Sequence, residues 1–474
     1  MLDLLPTRHP SDSASGSRLL QFKALALAAA AVFSGGMAEA MDLRQAYEAA
    51  QTNDAQVRAA RAGAQATRER LPQAKAQLRP NIAVNMGRNY NDLATTGRGM
   101  LGHSVTTETH YYSSNQSLSV RQPLYRPYQL AQVRQAEAQV ADADATLERD
   151  EQNLVTRVGE AYFDALLAED QLTLILAQKT TYSTQLDAAR KSFDAGTGTR
   201  TDIDEAQARL DMTVAQELEA RQNMVFTRHR IEVLTGQSMQ ELARLDVERF
   251  QAGAPVPASV QAWIEQAEAH SPELQALRAQ VEAAKQEVDK GRAGHLPTLD
   301  AVAQWSRTNS DNVTSVNTRY DNKSIGLQLS IPLYAGGQVN STVRQALAAQ
   351  ERAQEMLEAT RRDLGVRVHR EFRGMTEGVL RIQALEQAVR SAQQAVQSNR
   401  RSFEAGVRTT LDVLNAEQQK TLALRDLAQA RYLYLVSQLR LQSLAGADRL
   451  DTVQQANRWL LPPPVAQAAA NNNP

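Results

Sequence analysis

The side chains with the clearest capacity for chemistry lie in two related segments, 193–207 and 403–418, where charged and hydroxyl residues interrupt a helical pattern. Their sequences are FDAGTGTRTDIDEAQ and FEAGVRTTLDVLNAEQ. In the first segment, Asp202, Asp204 and Glu205 lack the spaced oxygen ligands and the turn glycine of a calcium loop. These carboxylates therefore suit a helix turn better than a metal site.

The same segments predict how each helix ends and the next begins. Gly196 and Gly406 fit the C′ position, where a left-handed residue closes a helix. Hydroxyl and carboxylate side chains that could cap the following helix are Thr201 or Asp202 in the first segment, and Thr409 or Thr410 in the second. Helix capping is thus the simplest role for these residues.

Elsewhere the chain offers little for catalysis or cofactor binding. It contains no cysteine, no phosphate-binding or dinucleotide-binding glycine motif, and no H-E-x-x-H or G-x-S-x-G string. The seven histidines are scattered, and His103 and His110 form at best a weak metal pair. A net charge of -1 also argues against nucleic acid as a partner. We expect no enzymatic activity, no cofactor and no metal site.

Composition favours long helices over ordinary compact domains. The 474 residues are 42% hydrophobic but only 5% aromatic, with a mean hydropathy of -0.45. Residues 1–40 combine basic residues with a ten-residue apolar run and then Ala-Glu-Ala, which predicts a signal peptide cleaved after Ala40. A membrane-anchoring helix is the weaker interpretation, because a bilayer needs about 20 apolar residues.

The rest of the chain is an internal duplication, in which one sequence unit occurs twice. QPLY at 122–125 matches IPLY at 331–334, and VRQA recurs at 133–136 and 343–346. We assign residues 41–252 to repeat 1 and residues 253–460 to repeat 2, followed by a disordered tail at 461–474.

Each repeat contains one very long heptad helix and one alternating segment. In repeat 2 the heptad positions are Val368, Met375, Ile382, Val389, Val396 and Phe403. Period-two alternation predicts strands at about 81–90, 112–122, 298–307 and 324–331. Heptads alone fit a coiled-coil rod, and the strands alone fit hairpins on a soluble core. A membrane β-barrel needs at least about eight strands, so the four amphipathic strands of one chain cannot close one. A barrel would need several copies of the chain, and three copies would give twelve strands.

The order and spacing of several strings resemble the TolC family of trimeric outer-membrane export channels. They are DLRQAYEAAQTND from Asp42, GHLPTLD from Gly294, SIPLYAGGQVNSTVRQA from Ser330 and FEAGVRTTLDVLNAEQ from Phe403. The resemblance implies a mainly α fold with a small β part: a trimeric twelve-strand β-barrel in the outer membrane of a Gram-negative bacterium, continued by a long periplasmic α-helical barrel. It implies a homotrimer in contact with outer-membrane lipid, a periplasmic membrane-fusion adaptor and an inner-membrane ABC transporter or other pump.

By the same resemblance the two turns form a gate at the periplasmic tip. Asp412 matches the first of two constricting aspartates, and Asn415 stands where the second would be. Three inward copies of Asp412 would form a ring that favours cations. Arg408, Thr201 and Asp202 match positions of the network between coils, whereas Phe403 replaces a tyrosine and has no hydroxyl to contribute. We expect a gate with fewer polar ties and half the lining charge.

The leading functional interpretation is a passive exit duct for type I secretion of a protein toxin. Within the family the chain most resembles components that export repeat-containing toxins such as adenylate cyclase-haemolysin. Two alternatives stay open: the outer-membrane component of a drug or metal efflux pump, and a soluble periplasmic coiled-coil adaptor. The two amphipathic hairpins fit an adaptor poorly.

Overall fold

The computed structural model describes residues 40–98, 102–238, 241–310 and 318–461. The predicted signal peptide lies outside these residues, apart from Ala40. The predicted disordered tail likewise lies outside them after Leu461.

The first half of the chain contains five helices and two strands within the described residues. They are α1 (Leu43–Asn53), α2 (Ala55–Arg68), α3 (Arg70–Ala76), β1 (Asn81–Arg98), β2 (Ser104–Tyr125), α4 (Pro127–Asp194) and α5 (Arg200–Thr235). The second half contains α6 (Val260–His270), α7 (Pro272–Ala293), β3 (Thr298–Ser310), β4 (Thr318–Ser330), α8 (Gln338–Glu404), α9 (Thr410–Leu444) and α10 (Arg449–Asn457).

The internal duplication is visible in where these elements begin. Helices α6 and α7 and strand β3 begin 217 residues after α1, α2 and β1, and α9 begins 210 residues after α5. Helix α4 has 68 residues and α8 has 67, so each is about 100 Å long at 1.5 Å per residue. The fold is thus internally duplicated and mainly α-helical.

Shorter helices laid end to end cover each long helix. Helices α1 to α3 and then α5 pack along α4, while α6, α7 and α9 pack along α8. Helix α7 also packs on α4, and α9 also packs on α4, so the two halves share one core. Continuous and composite helices therefore lie side by side.

The heptad positions of α8 form part of that core. Val368, Met375, Ile382, Val389 and Val396 are all buried, which confirms the coiled-coil pattern because residues seven apart lie on one face of a helix. Phe403, the next heptad position, is only half-buried near the end of α8.

The strands form one antiparallel sheet in the order β1-β2-β3-β4. Each strand is longer than the alternation predicts towards the hairpin loop, since threonine and serine residues continue the pairing, as in Thr95 with Thr107. Strand β4 ends at Ser330 rather than 331. Apolar side chains on the two outer strands are exposed, among them Ile82, Met86, Ile325 and Leu327.

Among the described residues, no helix is both long enough and apolar enough to cross a membrane.

A candidate gate at the two helix turns

The two turns have the same length and the same backbone conformation. Helix α4 ends at Asp194 and α5 begins at Arg200, while α8 ends at Glu404 and α9 begins at Thr410. Gly196 has φ of 76° and Gly406 has φ of 73°, in the left-handed region that favours glycine. In each turn the three residues from the glycine onward donate backbone hydrogen bonds to carbonyl groups of the last helical turn, which confirms the predicted C′ glycines.

The next helices are capped by equivalent threonines. The Thr199 hydroxyl accepts from the amide of Asp202 at 3.2 Å, and the Asp202 carboxylate accepts from the Thr199 amide at 3.0 Å. Thr409 and Asp412 form the same reciprocal capping box at 3.3 and 3.0 Å. The predicted cap at Thr409 is confirmed. The prediction that Thr201 or Asp202 occupies the N-cap position is wrong, because Thr199 lies where its hydroxyl reaches the third helical amide; Asp202 contributes to the cap as the third helical residue.

Both aspartates of these capping boxes are held in the ionised form. Hydrogen bonds from the backbone and side chain of Thr409, together with the Arg408 charge, lower the pKa of Asp412 below its usual value. The Thr199 hydroxyl is the main cause of the lowered pKa of Asp202, and a hydrogen bond with Thr410 of the other turn adds to it. Each turn thus presents a fixed negative charge.

Arg408 and Asp412 form an ion pair within one chain. Its Nη1 donates to Asp412 Oδ1 at 3.3 Å, one helical turn further on. Asp202 instead contacts Thr199 and Thr410, Thr201 is exposed, and Phe403 is half-buried. The structure therefore brings Arg408 and Asp412 together but not Arg408 and Asp202 within one chain.

Asn415 has a partner that sequence reasoning missed. Arg209, on α5, donates from Nη2 to Asn415 Oδ1 at 2.6 Å and from Nη1 to Gln418 Oε1 at 2.7 Å. The sequence carries a signal for this arginine, because it follows Asp202 by seven residues and so lies on the same face of α5. Arg209 links the helix that follows the first turn to the helix that follows the second.

A buried carboxylate joins the two helices on either side of the second turn. Glu417 on α9 is 3% exposed and accepts at 2.5 Å from Arg400 on α8 and from Lys420. The equivalent pair in the first half is Arg190 with Gln207, at 3.2 Å and exposed. The duplicated turns are therefore alike in backbone and cap but differ in the charge that joins their helices.

The first half places its buried carboxylate further from the turn. Glu217 on α5 is 7% exposed and accepts from Lys179 on α4 at 2.6 Å and from Arg221 at 2.7 Å. The Lys179 bond, followed by the Arg221 bonds, lowers the pKa of Glu217. Each pair of helices flanking a turn thus has its own internal charged tie.

These side chains can select and hold charge but are not arranged to bind a metal. In the described ranges no three His, Asp or Glu side chains converge as a metal site would require. What the turns offer is a set of ionised carboxylates at a helix junction and hydrogen bonds that join neighbouring helices. Such groups can favour cations in a narrow passage or hold a passage closed.

The chain is similar to a family of outer-membrane proteins and to several individual proteins. The family model described as "Outer membrane efflux protein" matches residues 46–237 and 263–447. The proteases secretion protein PrtF of Dickeya chrysanthemi is 32% identical over 452 residues, covering 95% of this chain and 98% of that protein. The alkaline protease secretion protein AprF of Pseudomonas aeruginosa is 37% identical over 412 residues, covering 86% and 85%. The outer membrane protein TolC of Escherichia coli is 30% identical over 420 residues, covering 86% and 83%.

A solved structure shares the fold at low sequence identity. The outer membrane protein VceC of Vibrio cholerae superimposes with a TM-score of 0.73 at 18% identity, over 85% of this chain and 96% of that chain. The likeness extends over both halves of the molecule.

Proposed function

The chain belongs to the outer membrane efflux protein family, and from that premise we propose that three copies form a channel that carries an exported protein across the outer membrane. Membership makes the chain a passive export channel of the Gram-negative outer membrane with a large periplasmic part, and not an enzyme. The trimer, the gate residues and the cargo are the parts that we propose here.

The observation that carries the trimer is the open four-stranded sheet. Strands β1 and β4 each have one unpaired edge within the described chain, and unpaired edges invite pairing with further strands. Apolar side chains on these outer strands are strongly exposed, such as Met86 at 77% and Ile325 at 88%. Edge-to-edge pairing of three copies would close twelve strands and leave these side chains to lipid.

The repeats and the gate follow from the same arrangement. We assign residues 41–252 and 253–460 to two structural repeats that each supply one hairpin of strands and one helix turn. At the tip of the helical barrel, three copies of Asp412 form the constricting ring and Asn415 lies one helical turn further on. Thr201, Asp202 and Arg408 contribute polar contacts to the closed gate, whereas the Phe403 ring has no hydroxyl for a hydrogen bond.

The relatives support a protein cargo. Two of them, at 37% and 32% identity over most of their length, are named for protease secretion, so we propose that this channel exports a protein and works with a periplasmic adaptor and an inner-membrane ABC transporter. Export of a toxin remains a prediction, as does the efflux of drugs or metals. The adaptor alternative loses its basis, because the family is one of outer-membrane channels.

Two measurements test this proposal. Light scattering of the mature protein in detergent, corrected for bound detergent, should give the mass of three chains; a single chain would contradict the closed sheet. In a host that lacks its own channel, co-expression with a protease-type cargo, its adaptor and its transporter should restore cargo in the medium. Restored drug resistance without cargo secretion would instead favour the efflux alternative.

A further inference from the structure

The helices around the two turns form two hairpins that are internally tied by buried charge. We call residues 179–221 the first hairpin and residues 396–420 the second hairpin. The first contains Lys179 with the buried Glu217, and the second contains Arg400 with the buried Glu417. A carboxylate in such a position is costly to leave without its partners, so each hairpin resists opening within itself.

The contact between the hairpins has a different character. Arg209 of the first hairpin donates to Asn415 and Gln418 of the second, at 2.6 and 2.7 Å. Both acceptors are neutral amides on exposed residues, and a hydrogen bond in water exchanges readily for one to solvent. This contact therefore breaks more easily than the ties inside each hairpin.

Further along the helices the two halves are joined more firmly. Tyr432 on α9 donates to Asp170 on α4 at 2.7 Å, and burial raises the pKa of both groups. Arg440 pairs with Glu160 at 2.8 Å. The halves are thus joined firmly along the rest of these helices. Near the turns they are joined by Arg209, by Thr410 beside the Asp202 carboxylate, and by Leu414, which is buried in an apolar cluster with Tyr182, Leu186 and Ala206 of the first hairpin.

From this hierarchy of contacts we propose that Arg209 is a positioning residue of the gate, which holds the second hairpin against the first in the closed channel. Opening moves the hairpins apart as two intact units: the Arg209 bonds to Asn415 and Gln418 are released, the apolar packing of Leu414 on the first hairpin is rearranged, and the bonds of Glu217 and Glu417 are kept. The inference rests on the proposed channel function. It adds a specific link between the repeats that involves neither Arg408 nor Asp412.

A double-mutant cycle on single channels tests the link. Arg209→Ala should increase the open probability of the purified trimer in a planar bilayer about three- to tenfold, the effect of losing a typical hydrogen bond, and Gln418→Ala should increase it less. If Arg209 acts through Gln418 and Asn415, the double variant Arg209→Ala/Gln418→Ala should open no more than Arg209→Ala alone. The matched control is Arg190→Ala, which removes an arginine–glutamine bond inside the first hairpin and should leave the open probability unchanged.

An opposite perturbation covers the case in which Arg209→Ala does not assemble. Gln418→Glu places a carboxylate against Arg209 and should lower the open probability, because a charged acceptor binds the guanidinium more strongly. Equal effects of Arg209→Ala and Arg190→Ala, additive effects in the double variant, or a Gln418→Glu channel that opens as often as the wild type would each overturn the assignment. A wild-type protein that forms no channel would refute the proposed function instead, so the two failures are distinguishable.

Discussion

Replacing Glu417 with glutamine should loosen the second hairpin selectively. The carboxylate is buried and accepts from Arg400 and Lys420, both at 2.5 Å. A glutamine of the same shape keeps one oxygen for Arg400 but turns an amide nitrogen, which is a donor, towards the Lys420 ammonium. The substitution therefore removes the charge without creating a cavity.

The size of the effect follows from the exposure of the three side chains. Breaking a fully buried ion pair costs about 3–5 kcal/mol, whereas exposed pairs contribute about 1 kcal/mol or less. Here the Glu417 side chain is 4% exposed, but those of Lys420 and Arg400 are 29% and 55% exposed. We therefore expect a loss of about 2 kcal/mol in the local opening free energy, which is about thirtyfold in the opening equilibrium.

Hydrogen exchange of the detergent-solubilised trimer measures this local opening directly. Amides of the second hairpin should exchange about thirtyfold faster in Glu417→Gln, and those of the first hairpin should not change. Glu404→Gln is the matched control, because it makes the same chemical change at an exposed position of the same hairpin. If the two variants exchange alike, the buried charge does not hold the hairpin together and the reasoning is wrong.

Three further predictions concern charge at the gate and in the stem. Asp412→Ala should lower cation selectivity in reversal-potential measurements, and a conducting variant with unchanged selectivity would refute the ring. Arg408→Ala removes the cation paired with Asp412 and should raise the closed-state conductance, so equal conductance in variant and wild type would count against its role. Asp54 is buried against Arg157; burial opposes its ionisation, but the Arg157 hydrogen bonds and the Val57 amide prevail and lower its pKa. The ionised Asp54 stabilises the folded chain fully above its unfolded pKa, which is near 3.9, and this stabilisation is lost as the pH falls through its lower folded pKa. Asp54→Asn should therefore lower the melting temperature at pH 7, and lower it by less at pH 3.

Much of the fold is predictable from the sequence because its signals are local and periodic. The apolar heptad positions of α8 all lie on one face of the helix, so only that face can be buried. Val368 and Val389 lie on it and are buried. The strand limits are less predictable, since the apolar alternation stops before the pairing does. Thr95 of β1 pairs with Thr107 of β2 near the loop that joins these strands, where the sequence has no apolar alternation.

The site is predictable only where a single turn decides it. Gly406 and Thr409 have the predicted roles, because their backbone positions determine helix end and start. In the first turn Thr199 competes with Thr201 for the cap, and the choice depends on the length of the turn after Gly196. The bonds of Arg209 and Glu417 depend on how four helices are rotated against one another, which no single helix sequence specifies.

The outer-membrane channel is tested most directly by the single-channel conductance of the purified mature protein, starting after Ala40, in a planar lipid bilayer. We expect small, steady, cation-preferring conductance steps from a trimer with a nearly closed acidic constriction. Protein that stays in solution without detergent and never inserts would contradict the outer-membrane channel.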